Sequence, residues 1–154
     1  MADLTVNSGR KFQGEVRRAL FDVGANLEVF EGQFMMTGAG GVVNSTGGAV
    51  DGGFALEYVD NRTGSVNGGA ARAARVEMAL EGYVWLTVAN GAAFTHDDVG
   101  LPVYNDADGD TFTTTSTTNA KLGVIVNCDA AVVAGGNTQE VLVYFNMGLA
   151  HLLA

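Results

Sequence analysis

Apolar residues in this chain come in strand-sized pieces, and Gly, Asn or Asp closes most of them. No other feature limits the fold as much. Short apolar or alternating runs between turn residues suit a pleated sheet, whereas a surface helix needs an apolar stripe repeating every 3.6 residues. The runs lie at 27–30, 33–36, 42–44, 53–59, 73–80, 83–88, 102–104, 111–115, 121–128 and 140–146. Thr and Val recur in them, and both fit a half-buried pleated surface. Residues 70–80 are helical by composition alone, but Arg72, Val76 and Met78 form no stripe, so a strand is expected there. In Val84-Trp85-Leu86-Thr87-Val88 both faces are partly apolar, which fits a central strand or one covered by another chain. The reading is therefore all-β. With 154 residues the chain has the length of one domain and can bury a real core.

The punctuation agrees. The chain has 22 Gly and 1 Pro, with no collagen-like period and no repeat of solenoid length. Glu81-Gly82 sits between two apolar runs and predicts a hairpin or a bulge. Asn90-Gly91 is a strong short-turn pair. The run Asn105-Asp106-Ala107-Asp108-Gly109-Asp110 reads as a hairpin loop, and residues 64–71 as a flexible loop inside one domain.

Charge divides the chain differently from hydropathy. Acids number 17 and bases 8, for a net charge of −9. Yet residues 1–18 hold Arg10, Lys11, Arg17 and Arg18 against only Asp3 and Glu15, leaving 15 acids and 4 bases in the remainder. Such asymmetry separates an arm from a body. The expected organisation is a basic N-terminal arm over 1–26, a β domain over 27–146 and an apolar tail over 147–154. An arm of this kind can order against an acidic partner. The acidic body disfavours nucleic acid, since phosphate binding needs a positive face. No apolar run reaches the length of a membrane span, and the first residues lack the pattern of a signal peptide. Neither a nucleic-acid partner nor a membrane is expected.

Reaction chemistry finds little footing. Cys128 is the only cysteine, so no intrachain disulfide forms, and it reads as a small buried hydrophobe. His96 precedes Asp97-Asp98, a polar loop or half a metal site, and His151 lies among leucines. No nucleophile elbow accompanies either histidine. Asp106, Asp108 and Asp110 begin like a calcium loop, but the sixth and twelfth positions are Thr111 and Thr117 where Gly and Glu are required. The glycine runs lack the Lys-Ser or Lys-Thr of a phosphate loop. The expectation is a chain without catalytic residues, metal or cofactor.

One ordered set of segments has a counterpart. Gly53-Phe54-Ala55-Leu56-Glu57 is followed by Arg72-Ala73-Ala74-Arg75-Val76. Then come Glu81-Gly82-Tyr83-Val84, Val99-Gly100-Leu101-Pro102-Val103-Tyr104, Thr111-Phe112-Thr113 and Lys121-Leu122-Gly123-Val124-Ile125. This order resembles the small capsid cement, or head decoration, proteins of tailed bacteriophages, over roughly residues 50–146. The resemblance implies a small barrel or tulip-like β domain and a homotrimer at the local three-fold positions of a shell. It also implies arms that reach neighbouring subunits. The partners would be the major capsid protein and further copies of the chain. The location would be the outer capsid surface of the virion, after synthesis in the host bacterial cytoplasm. The first fifty residues have no counterpart in the family pattern. Arg10, Lys11, Arg17 and Arg18 are the expected capsid-binding residues, because an acidic shell surface would attract them. The competing readings are a calcium- or carbohydrate-binding β module and a tail-tube component.

Overall fold

A computed structural model describes residues 9–37, 42–44, 52–90, 93–105, 111–116, 121–128 and 138–147. Eleven strands make up the described fold: β1 (Lys11–Asp22), β2 (Leu27–Val29), β3 (Phe34–Thr37), β4 (Val43–Asn44), β5 (Gly52–Ala55), β6 (Val59–Asn61), β7 (Arg75–Ala89), β8 (Pro102–Asn105), β9 (Phe112–Thr113), β10 (Lys121–Cys128) and β11 (Thr138–Asn146). The only described helical piece is a short 3-10 turn at His96–Asp98. The all-β class holds.

A five-stranded barrel organises the molecule. Going round it, β7 pairs with β9, β9 with β8, β8 with β10, β10 with β11, and β11 again with β7. The closing seam between β11 and β7 runs without a register shift from Thr138 opposite Ala89 to Asn146 opposite Glu81. Closure removes free edges from the ring. Inside it, Val84, Leu86, Val88, Val103, Phe112, Leu122, Ile125, Cys128, Val141, Val143 and Phe145 belong to one buried cluster. The alternation of Val84, Leu86 and Val88 with the less buried Tyr83, Trp85 and Thr87 is the period of two that a half-buried strand requires.

The lower half of β7 carries a second layer. Strands β5, β3 and β4 extend the sheet from β7 at Met78 and Ala79. Both faces of this extension are covered. Phe34, Met36 and Phe54 join the barrel cluster, while Met35, Ala55, Val76 and Met78 join a second cluster with Val23, Val29 and Val43. The small sheet of β2 and β6 contributes to that second cluster through Val29, Leu27 and Val59. The run expected as one strand over 53–59 is therefore two strands, because the chain leaves the main sheet after Ala55 to join β2. The loop at 64–71 is tied down locally. Buried Asn61 donates through Nδ2 to the carbonyls of Gly24 and Ala70, both at 2.9 Å.

Two differences from the sequence reading go together. The runs at 73–80 and 83–88 are one continuous 15-residue strand, so of the hairpin or bulge expected at Glu81-Gly82 it is the bulge that occurs, as a register shift against β1. The segment expected as part of a free arm, 11–22, is the 12-residue strand β1, antiparallel to β7 from Trp85 down to Arg75. The arm reading needs correction over this span, since Phe12, Val16 and Phe21 turn inward onto the two cores. The register of β1 shifts between Gln13 and Arg17, where Gly14 takes a left-handed φ of 76°. Gly82 faces that bulge, and a Cβ there would sit 2.7 Å from Val16 Cγ1. Glycine at 82 thus lets the bulged strand lie flat on β7. Residues 1–8 and 148–154, and with them His151 and most of the expected tail, lie outside the described residues.

Candidate interaction surface

Strand β1 sets out the four cations singled out in the sequence, and it does so unevenly. Arg10, just before the strand, turns inward. Its Nε donates to the Gly32 carbonyl at 2.6 Å, and its guanidinium lies 5.5 Å from the Phe54 ring centre and 5.4 Å from that of Phe112. It packs over aromatic rings of the barrel cluster and is partly buried. Lys11, Arg17 and Arg18 stay exposed on the strand.

Each of these three finds an acid on the neighbouring strands. Lys11 Nζ lies 3.8 Å from Glu140 and 5.5 Å from the Trp85 ring centre. Arg17 Nη1 reaches Glu81 Oε2 at 3.1 Å, and Arg18 Nη1 lies 4.0 Å from Glu77 Oε1. These pairs are wet: the Arg17 side chain is 81% exposed and that of Lys11 74%. Exposed pairs of this kind contribute about 0–1 kcal/mol at most, so they orient β1 more than they fasten it.

Glu81 is the hub. Tyr144 donates its hydroxyl proton to Oε1 at 2.9 Å, and Arg17 approaches Oε2 from β1. The Tyr144 hydrogen bond first, then the Arg17 hydrogen bond, hold the Glu81 carboxyl below the usual carboxylate range. Tyr83 packs against Tyr144 with ring centres 5.3 Å apart. The outer face of β1, β7 and β11 is thus a band of Tyr83, Trp85 and Tyr144 bordered by ion pairs. The sequence offered one signal for it, the two-faced apolar run around Trp85.

Beside this band the β1 bulge leaves an open depression of about 360 Å³, lined by Phe12, Gly14, Glu15, Val16 and Arg18. Among the described residues β1 pairs with β7 only.

The other sequence candidates divide plainly. His96 opens the 3-10 turn, where Thr95 caps and Asp98 Oδ2 accepts the Thr95 N–H at 2.7 Å. Asp98 therefore acts as half of a capping box, a local structural use. No group of three His, Cys, Asp or Glu side chains is placed to hold a metal among the described residues. Asp106, Asp108 and Asp110 lie outside them. Cys128 is buried in the barrel cluster. A separate polar patch lies on the small sheet. There Arg62 bridges Asp60 and Glu28, each at 2.8 Å, and Tyr58 donates to Glu28 at 2.7 Å. Hydrogen bonds from Arg62 bring the Asp60 carboxyl down to about 2.

Against known proteins, no family model, no curated protein and no solved structure matches this chain.

Proposed function

We propose that this chain is a structural virion protein. It binds the outer surface of an assembled phage capsid as a homotrimer and stabilises the shell. One observation carries the reading. The segments that resemble the cement-protein pattern fall, in order, on β5, β7, β8, β9 and β10, which form most of the barrel and its extension. The pattern therefore follows the framework strands, as a family pattern for such a β domain would.

The physics of a cement is mass action. A protein that binds the assembled lattice, and not its separated parts, stabilises the lattice by the free energy of that binding. Many copies around a shell make modest single contacts strong together. The acidic balance of the chain keeps free trimers apart. The exposed cations Lys11, Arg17 and Arg18 are offered to the shell, and Arg10 holds the β1 entry in place.

The test is co-sedimentation with shells assembled without the chain, beside light scattering of the free protein. The expected result is a particle of about three times the 15.9 kDa chain mass that pellets with shells and not with unassembled capsid subunits. Deleting residues 2–18 is a poor variant, since it removes more than half of β1. Reversing Arg17 and Arg18 to Glu is the better one, and binding unchanged by it at physiological salt would remove these residues from the interface.

A further inference from the structure

We infer that Asn67 is a self-modification site. As an amide it locks the loop over 62–70 onto the small sheet, and its spontaneous deamidation releases that loop. The inference concerns the β2–β6 side of the molecule and does not depend on shell binding.

The residue pair supplies the chemistry. Asn67 is followed by Gly68, and Asn90 is the only other asparagine that precedes a glycine. Asparagine is a labile residue in warm water. The backbone nitrogen of Gly68, with no Cβ beside it to crowd the approach, attacks Cγ of Asn67. The bond from Cγ to Nδ2 breaks, the Gly68 proton leaves with the ammonia, and a five-membered succinimide forms. Water then opens the ring at one of its two carbonyls, giving aspartate or isoaspartate. Water is the only co-reactant.

The fold holds both reacting groups. Asn67 is exposed to water, yet its Nδ2, the future leaving group, donates to the Asp60 carbonyl at 2.7 Å. The Gly68 N–H, the future nucleophile, donates across a turn to the Ser65 carbonyl at 3.1 Å, and Gly68 takes a left-handed φ of 81°. Ser65 Oγ donates to the same Asp60 carbonyl at 3.1 Å. The far side of the loop is anchored to Asn26. Its Oδ1 accepts the Thr63 N–H at 2.9 Å, and its own N–H reaches the Gly69 carbonyl at 2.9 Å. Attack needs the turn and the Asp60 contact to open together, so local opening gates the reaction.

Release follows from the product. A carboxylate accepts hydrogen bonds and donates none, so it faces the Asp60 carbonyl acceptor to acceptor where the amide had donated. It also adds a negative charge beside Asp60, itself an acid. Isoaspartate lengthens the backbone of a tight turn by one carbon. Val66, fully exposed at the loop tip, then loses its fixed placement. The change runs one way, because ammonia is lost to solvent.

The experiment incubates the full chain in mildly alkaline buffer beside a free peptide of residues 61–70. Peptide mapping by mass spectrometry reads conversion at position 67, apart from Asn90, and hydrogen exchange reads the loop amides. The expected result is conversion in the folded chain about tenfold or more slower than in the peptide, and slowed at least as much as the Gly68 amide is protected. Asn26→Gly keeps the left-handed backbone at 26 but removes the acceptor of the Thr63 N–H, so it should speed conversion about threefold or more. Asn67→Asp should speed amide exchange over 62–70 and leave the seam between β7 and β11 as protected as in the parent. Conversion as fast in the folded chain as in the peptide, no conversion at position 67 after months, or no effect of Asn26→Gly would each overturn the gated site. Unchanged loop exchange in Asn67→Asp would overturn the lock.

Discussion

Strands β1 and β11 both lie against β7, and they are held in opposite ways. β11 is paired on both edges, to β10 and to β7, and its inward side chains Val141, Val143 and Phe145 are fully buried. Among the described residues β1 is paired on one edge; it shifts register twice and sends inward only partly buried groups such as Phe12 and Val16. β11 closes the barrel. β1 lies over it, with a depression at its bulge and three exposed cations each paired to an acid further in. The difference shows how one long strand can carry a closed framework on one side and a bulged, less buried strand on the other. Elements with few buried contacts and exposed backbone open first, so β1 belongs to the low-stability end of this fold.

The largest break in that comparison is on the β11 side. Phe145→Ala removes a ring that packs edge-on against Phe54 at 5.1 Å and also meets Phe12. It should cost about 3–5 kcal/mol in chemical denaturation and destabilise the whole domain. Gly82→Val comes next. The new side chain meets Val16, so the expected loss is about 1–3 kcal/mol, and amides 11–22 should exchange faster while the seam between β7 and β11 keeps its protection. Phe12→Ala should cost about 1–2 kcal/mol, less than Phe145→Ala because the ring is only partly buried, and it should again free β1 first.

The smallest effect is electrostatic. Folding lowers the Glu81 carboxyl, so its contribution is present above the ordinary carboxylate value and is lost as pH falls through the depressed one. Glu81→Gln should lower neutral-pH stability slightly, leave acid stability near the parent's, and so flatten the acid limb of a stability-versus-pH curve. An acid limb identical to the parent's would mean that the Tyr144 and Arg17 contacts carry no weight.

How far the residues reveal this fold follows from the same contrast. The run at 121–128 coincides with β10, and the runs over 73–88 anticipate β7 apart from its continuity at Gly82. Regular alternation makes such strands readable. β1 escaped because its inward residues, Phe12, Val16, Ala19 and Phe21, are unevenly spaced around a bulge, so no period of two survives and the polar residues between them look like an arm. Its cations were visible at once, but not their division of labour. That Arg10 faces Phe54 and Phe112 while Arg17 faces Glu81 depends on partners 44 to 102 positions away, and no local pattern encodes them. Tyr144 and Glu81 meet only because β11 closes on β7.

Scanning calorimetry of shells with and without the added chain bears most directly on the proposed role. The account predicts that saturating protein raises the disruption temperature of assembled shells, and that the Arg17→Glu, Arg18→Glu double variant raises it less. Shells that disrupt at the same temperature with and without the bound chain would contradict it.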